Sequence, residues 1–268
     1  MSLPEDKLND LKAFIAAQDS MLIAYSGGTD SSLLSVISKE ILGDKLLCVL
    51  IDSPLVPRRD VERAHELANR FSINLKVVNF DPFQIPEIGN NPEDRCYHCK
   101  KKICHTLKQI AESKGIKTIV DGTNLSDLGE YRPGNKATEE EGILHPFVEA
   151  GINKEDVRRI AKEMDLEFWN VPSSACLASR IPYNEKLDLD KLSIIEAGEI
   201  ILYREGFRQC RMRLHNEGKI ARIEIPKNDI PDLVSKMDRI MPELRKLDVS
   251  YITLDLEGYR TGSFDKKE

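Results

Sequence analysis

No apolar run in this chain approaches the roughly 20 residues that a membrane span needs. The charged, amphipathic opening MSLPEDKLNDLKAF lacks the apolar stretch of a secretory signal. Six cysteines spread over 268 residues are too sparse for a disulfide framework. Surplus basic charge is missing too. The formal net charge of −6 argues against a general nucleic-acid binder, while leaving room for a local basic patch. Internal repeats, low-complexity tracts and an obvious flexible linker are also lacking. These absences leave the expectation of a cytoplasmic protein with reduced thiols and no membrane partner.

What is present suffices for one large core, or a medium core with a small second domain: 41% of residues are hydrophobic and 31% charged. Short apolar runs at 21–25, 46–51, 75–78 and 118–120 read as buried strands. The stretches 30–41, 58–71 and 95–114 carry apolar residues at helical spacing. A further helix is expected from the capping residue Asn153 to about Met164. This alternation predicts an α/β fold with a parallel sheet, helices on both faces, and ligands beyond the carboxyl ends of the strands.

The pattern changes near residue 184. A helix over 184–204, a hairpin of 208–214 and 221–225 turning at Asn216-Glu217-Gly218, a helix over 230–247 and a strand over 249–256 predict a small α+β domain. The expected division is 1–184 and 185–268.

The segment Ser26-Gly27-Gly28-Thr29-Asp30-Ser31-Ser32 leaves the first strand and opens a helix. Glycines there allow a tight turn that points successive N–H groups at one anion. The helix dipole and the hydroxyls of Ser26, Ser31 and Ser32 add to that site. The lysine of the common P-loop is absent, so this is a different phosphate loop.

Two further blocks carry polar groups. Asp121-Gly122-Thr123-Asn124 ends the fourth strand, with Gly122 freeing the backbone and Asn124 suited to cap. Arg132 of Tyr131-Arg132-Pro133-Gly134 is either a solvated loop residue or, over the same cleft, a partner for a leaving pyrophosphate. Cys176 stands among small polar residues in Pro172-Ser173-Ser174-Ala175-Cys176-Leu177-Ala178-Ser179-Arg180, a setting that favours exposure and thiolate character.

SGGTDSS resembles the PP-loop of ATP pyrophosphatases. Together with GTNLSDL, YRPG and PSSACLASRIPY it resembles the LarE family of ATP-dependent sulfur transferases from about residue 20 to 225. The resemblance implies that ATP and Mg2+ are used to adenylate two carboxylates on a pyridinium mononucleotide. Each carboxylate then becomes a thiocarboxylate, on the way to the nickel pincer nucleotide of lactate racemase. Asp30 would hold Mg2+, Asp52 would lie near the adenosine, and Gly122 would line the ATP site. Arg211 and Arg213 would grip the substrate phosphate, although their spacing alone also fits a solvated strand face. Arg180 would sit beside Cys176. Glu199, Glu224 and Asp232 match acidic positions near the family's subunit interface, where metal has been inferred, so a homo-oligomer is expected. In one version of the family the matching cysteine gives up its own sulfur and becomes dehydroalanine.

Cys96-Tyr97-His98-Cys99 adds a pair which that sacrificial version does not need. It reads as incidental, as a redox disulfide, as a zinc site with a single CxxC that His98, Cys104 and His105 could supplement, or as part of a cluster. With Cys176 it makes three thiolates, which leave one iron of a 4Fe–4S cluster open to carry sulfide. Some LarE-like proteins and tRNA thiolation enzymes resemble this subtype, and the cluster is the favoured expectation. Cys48 reads as core, Cys104 as packing or a spare thiol, and Cys210 and His215 carry no assigned role. Thiolation of a tRNA base and nucleotide sensing without catalysis are the rival functions.

Overall fold

A computed structural model describes residues 4–129, 133–172 and 174–260. Through the first part of the chain run α1 (Pro4–Ala16), β1 (Met21–Tyr25), α2 (Thr29–Leu42), β2 (Leu46–Asp52), α3 (Arg58–Arg70), β3 (Leu75–Asn79) and α4 (Pro86–Gly89). Next come α5 (Arg95–Ser113), β4 (Thr118–Asp121), α6 (Leu125–Leu128), α7 (Pro133–Glu140), α8 (Pro146–Glu149) and α9 (Lys154–Glu163). The remainder forms α10 (Leu189–Arg204), β5 (Arg211–His215), β6 (Ile220–Glu224), α11 (Ile230–Ser235), α12 (Met237–Leu244) and β7 (Tyr251–Leu254). One compact unit takes in the residues up to Phe80 together with Asp94–Ser174. The other joins Asp81–Glu93 to the chain from Ala175 onward.

The first unit is the expected α/β architecture, an all-parallel sheet in the order β3-β2-β1-β4. Strands such as MLIAY are apolar at nearly every position because both faces are covered. Met21, Ile23 and Tyr25 pack toward Leu33, Leu34 and Ile37 of α2, Ala64 of α3 and Val157 and Ile160 of α9. Leu22, Leu47 and Val49 face the other way, onto Cys104, Leu107 and Ile110 of α5. Asn153 caps α9 as its residue type predicts, accepting from Asp156 N at 2.9 Å while Asp156 accepts from Asn153 N at 3.2 Å.

From β1 the chain crosses to β2 on one side, and later returns to β4 on the other. The carboxyl ends of β1 and β4 therefore flank the switch point where open α/β sheets bind ligands. SGGTDSS follows β1 and DGTN ends β4. The two segments touch at backbone level. A Cβ on Gly122 would lie 2.8 Å from Ser31 N and 3.1 Å from Asp30 C.

The second unit holds the sheet β5-β6-β7, with β5 and β6 antiparallel and β7 parallel to β6. Its core gathers Leu202, Phe207, Cys210, Ile223, Ile225, Leu233, Ile240 and Leu244. Asn216, Glu217 and Gly218 turn the hairpin with φ of 52°, 57° and 88°. Three expectations shift. The helix begins at Leu189, not near 184, because Asp188 caps it by accepting from Lys191 N at 2.8 Å. The helix expected over 230–247 is two, interrupted at Lys236. The last strand shortens to four residues.

Replacing Gly122 by alanine is expected to force DGTN away from α2. Overpacking of this kind costs about 1–3 kcal/mol, and the loss is read as a lower urea midpoint with an unchanged denaturant slope.

Candidate active site

The phosphate loop is built from its own hydroxyls. Ser31 Oγ accepts from Ser26 N at 3.2 Å, lies 3.0 Å from Ser26 Oγ and donates to Gly28 O at 3.3 Å. Gly27 takes φ of +70°, and a Cβ there would fall 2.6 Å from Ala64 Cβ, so only glycine fits under α3. Gly28 caps α2 in extended conformation with no side-chain cap, and the first intrahelical bond is Ser32 N to Gly28 O at 2.9 Å. The earlier N–H groups of that turn have no partner within the helix, which is the arrangement that binds phosphate. Ser26 is exposed. Ser32 is buried beside the Tyr25 phenol, whose pKa burial pushes up to about 12. Thr29 is also buried and donates to Phe168 O at 3.0 Å.

Asp30 projects from the first turn of α2. One carboxylate oxygen pairs with Lys154 Nζ, and the other accepts from Asn124 Nδ2 at 3.2 Å. Asn124 is in turn locked in a capping box with Asp127. Mg2+ is held by one or two carboxylates together with substrate phosphates and water. A half-buried aspartate beside a phosphate loop fits that donor set. Asp52 receives Arg58 Nη1 at 2.6 Å, while Arg58 Nη2 donates to Ser53 O and Val56 O. Arg63 Nε donates to Gly27 O at 3.0 Å and thereby props the loop from α3.

Asp121 is buried at the end of β4 and pinned by Lys100 Nζ at 3.2 Å and His145 Nδ1 at 2.7 Å. Burial alone would raise its carboxyl pKa. The charge of Lys100 and the hydrogen bond and charge of His145 reverse that and hold it well below the carboxylate range. Burial likewise disfavours the Lys100 ammonium, but the Asp121 charge keeps its pKa above the ordinary lysine value. Spacing alone did not single out Lys100, His145, Arg58, Arg63 or Lys154. Lys154 did carry a signal, since a cation at the first position of a helix opposes the dipole and requires a partner elsewhere.

The cysteines fall into two groups. Cys48, Cys104 and Cys210 are buried, and burial raises the pKa of Cys48 to about 12. Cys96 and Cys176 are exposed and Cys99 is half-buried. Cys96 and Cys99 lie one turn apart at the start of α5, and Arg95 Nη2 reaches Cys96 Sγ at 3.4 Å. By type and accessibility each of these three is available as a thiolate ligand. Cys176 belongs to the other unit, and among the described residues no three His, Cys, Asp or Glu side chains gather as a metal-binding group.

In the second unit Cys176 precedes a short 3-10 turn, Leu177–Arg180. Arg180 is 0% exposed. Its Nε and Nη2 meet the two oxygens of Glu199 at 2.9 and 3.1 Å, and Nη1 donates to Ala175 O at 2.8 Å and Cys176 O at 3.0 Å. The guanidinium therefore shapes the cysteine loop from beneath. Glu199 also accepts from Met212 N at 3.1 Å. Arg213 Nε donates to Glu224 at 2.7 Å and Nη1 to Ser179 O at 2.6 Å, and Arg211 packs over the Tyr259 ring. Both strand arginines are buried rather than on a solvated face. Desolvation, then the neighbouring Arg180 charge, lowers the Arg211 pKa. Asp232 is exposed and pairs with Lys236 at 2.7 Å, and His215 is held below its ordinary pKa first by burial, then by Arg222 and Arg213. Tyr131, Arg132 and Ser173 lie outside the described residues.

Two measurements test these pairs. Arg180→Met leaves Glu199 buried without its counter-ion, and breaking such a pair costs about 3–5 kcal/mol of stability, read by urea unfolding. For Asp121 the folded pKa lies below the unfolded one. Its contribution is therefore complete above about pH 4 and is lost as pH falls toward the folded value. Asp121→Asn should flatten the acid limb of a stability–pH profile relative to the parent chain.

A family model described as NAD synthase matches residues 8–95, which include the phosphate loop and Asp52. An uncharacterised protein of Synechocystis sp. is 36% identical over 98% of this chain and 98% of its own length. The pyridinium-3,5-bisthiocarboxylic acid mononucleotide synthase of Lactiplantibacillus plantarum is 36% identical over 90% of this chain and 87% of its own. An uncharacterised protein of Methanocaldococcus jannaschii is 32% identical, covering 90% and 91% respectively. At that identity and coverage to the Lactiplantibacillus synthase, with a PP-loop at the switch point of its sheet, the chain belongs to the LarE family of ATP-dependent sulfur transferases.

Proposed function

We propose that this enzyme adenylates the carboxylates of pyridinium-3,5-dicarboxylic acid mononucleotide and converts each to a thiocarboxylate. The Lactiplantibacillus relative is named for the bisthiocarboxylic acid. The compound one oxygen-for-sulfur exchange behind at each carboxyl is the dicarboxylate. The observation that carries the reading is the pairing of this likeness with an uncapped helix N-terminus at the sheet's switch point.

A carboxylate is a poor electrophile. In the proposed reaction its oxygen attacks the α-phosphorus of ATP, pyrophosphate leaves, and the acyl adenylate becomes open to a sulfur nucleophile that expels AMP. The N–H groups of the loop, with Ser26, Gly27, Gly28 and Ser31, would cradle the phosphates. Asp30 would hold Mg2+, and Gly122 would bring the second wall close. Asp52, oriented by Arg58, would meet the adenosine, and Arg132 would face pyrophosphate. Arg180 would set the Cys176 loop, with Arg211 and Arg213 on the mononucleotide side. Two rounds complete the product, a precursor of the nickel pincer nucleotide, within a homo-oligomer.

For the sulfur we propose Cys96, Cys99 and Cys176 as ligands. Held by these three thiolates, a 4Fe–4S cluster would supply sulfide-level sulfur to the acyl adenylate. The accessibility of these three thiols, against the burial of the other three, supports that assignment.

Anaerobic purification with iron and acid-labile sulfide analysis is expected to give about four irons per chain, and mass spectrometry an unaltered Cys176 after turnover. An iron-free chain whose Cys176 has become dehydroalanine would overturn the cluster and establish sacrificial donation in its place.

A further inference from the structure

The phosphate loop lacks the lysine that common P-loops carry, yet an ammonium stands beside it. Lys154 occupies the first position of α9, between the cap Asn153 and the acidic residues Glu155 and Asp156. The positive end of the helix dipole repels a cation there, so local helix energetics do not account for it. Its backbone N–H donates to Ser126 Oγ at 3.2 Å, and its ammonium lies on Asp30. Asn124, buried and locked by Asp127, holds the other oxygen of the same carboxylate. Among the described residues, the neighbouring cations Arg63 and Lys100 are committed otherwise, Arg63 to Gly27 O and Asp60 and Lys100 to Asp121.

We propose that Lys154 is an internal counter-ion that couples metal uptake to phosphate uptake at the Asp30 carboxylate. Without phosphate, the ammonium neutralises Asp30 and competes with a free divalent cation. When Mg2+ arrives with a polyphosphate, the metal takes the carboxylate. The displaced ammonium then gains phosphate oxygens in its place, supplying from α9 the charge that the loop sequence lacks. The proposal rests on the reading of SGGTDSS as the ATP site.

The test is equilibrium binding, independent of turnover. Mn2+ is titrated alone, and magnesium pyrophosphate separately, into the full chain, into Lys154→Met and Lys154→Arg, and into Lys154→Met combined with Asp30→Asn. Removing one charge-assisted contact shifts an equilibrium by about tenfold or more. Lys154→Met is expected to bind free Mn2+ about tenfold more tightly than the parent and magnesium pyrophosphate about tenfold more weakly. Lys154→Arg should keep the parent's pattern, and Asp30→Asn added to Lys154→Met should abolish the gain in Mn2+ affinity. A merely structural lysine would weaken both ligands together or neither, and either outcome overturns the coupling. Failure of the parent chain to bind magnesium pyrophosphate or magnesium ATP at all would instead overturn the ATP-site reading on which the coupling stands.

Discussion

The structure of the first unit turns on one steric constraint, the passage of DGTN over the N-terminus of α2. Gly122 can lie against Ser31 N because it has no side chain, and Gly27 can pass beneath α3 for the same reason. These two contacts bring the carboxyl end of β4 to the opening left between β1 and β4. They also leave Asn124 within reach of Asp30. A helix N-terminus with free N–H groups binds anions in any fold. Here the constraint adds an oriented carboxylate to it, and an anion site becomes a candidate metal–polyphosphate site.

Charge is then distributed so that buried and half-buried groups hold each other in place. Asp121 is fixed between Lys100 and His145, Asp30 between Lys154 and Asn124, and Asp52 against Arg58. The second unit uses the same device without a phosphate loop. Arg180 and Glu199 form a fully desolvated bidentate pair whose remaining donors hold the carbonyls of Ala175 and Cys176. Arg213 binds Glu224 on one side and Ser179 O on the other. A pair of this kind contributes little net stability when intact but is costly to break. Its structural effect is to fix the path of the segment that presents Cys176 to solvent.

Much of this was legible in the sequence, and the reasons differ by residue. The inner strands of the first unit are visible because a sheet covered on both faces demands unbroken apolar runs, as in MLIAY and LLCVL. Asn153 and Asn124 were legible as caps because capping is local chemistry. The start of α10 was not, because Asp188 competes as a cap inside a segment whose composition suits a helix from Asn184 onward. Arg180 illustrates the limit of spacing. Four positions beyond a cysteine, it reads as a partner for the thiol, yet its guanidinium is spent on Glu199, 19 residues away, and on backbone carbonyls. The partners of Lys154 and His145 were hidden for the related reason that they lie 124 and 24 residues away, although the position of Lys154 at a helix start was itself a signal. Only the fold brings such pairs together.

In the proposed function the accessible thiols and the phosphate loop serve one reaction: ATP makes a carboxyl carbon electrophilic, and sulfur replaces its oxygen. The most direct measurement is the mass spectrum of pyridinium-3,5-dicarboxylic acid mononucleotide after incubation with the anaerobic enzyme, magnesium ATP and a sulfide source. The account predicts oxygen-to-sulfur exchange at both carboxylates, with one AMP and one pyrophosphate formed for each sulfur installed. Cleavage of ATP with the mononucleotide recovered unchanged, or sulfur appearing in the mononucleotide without AMP, would contradict it.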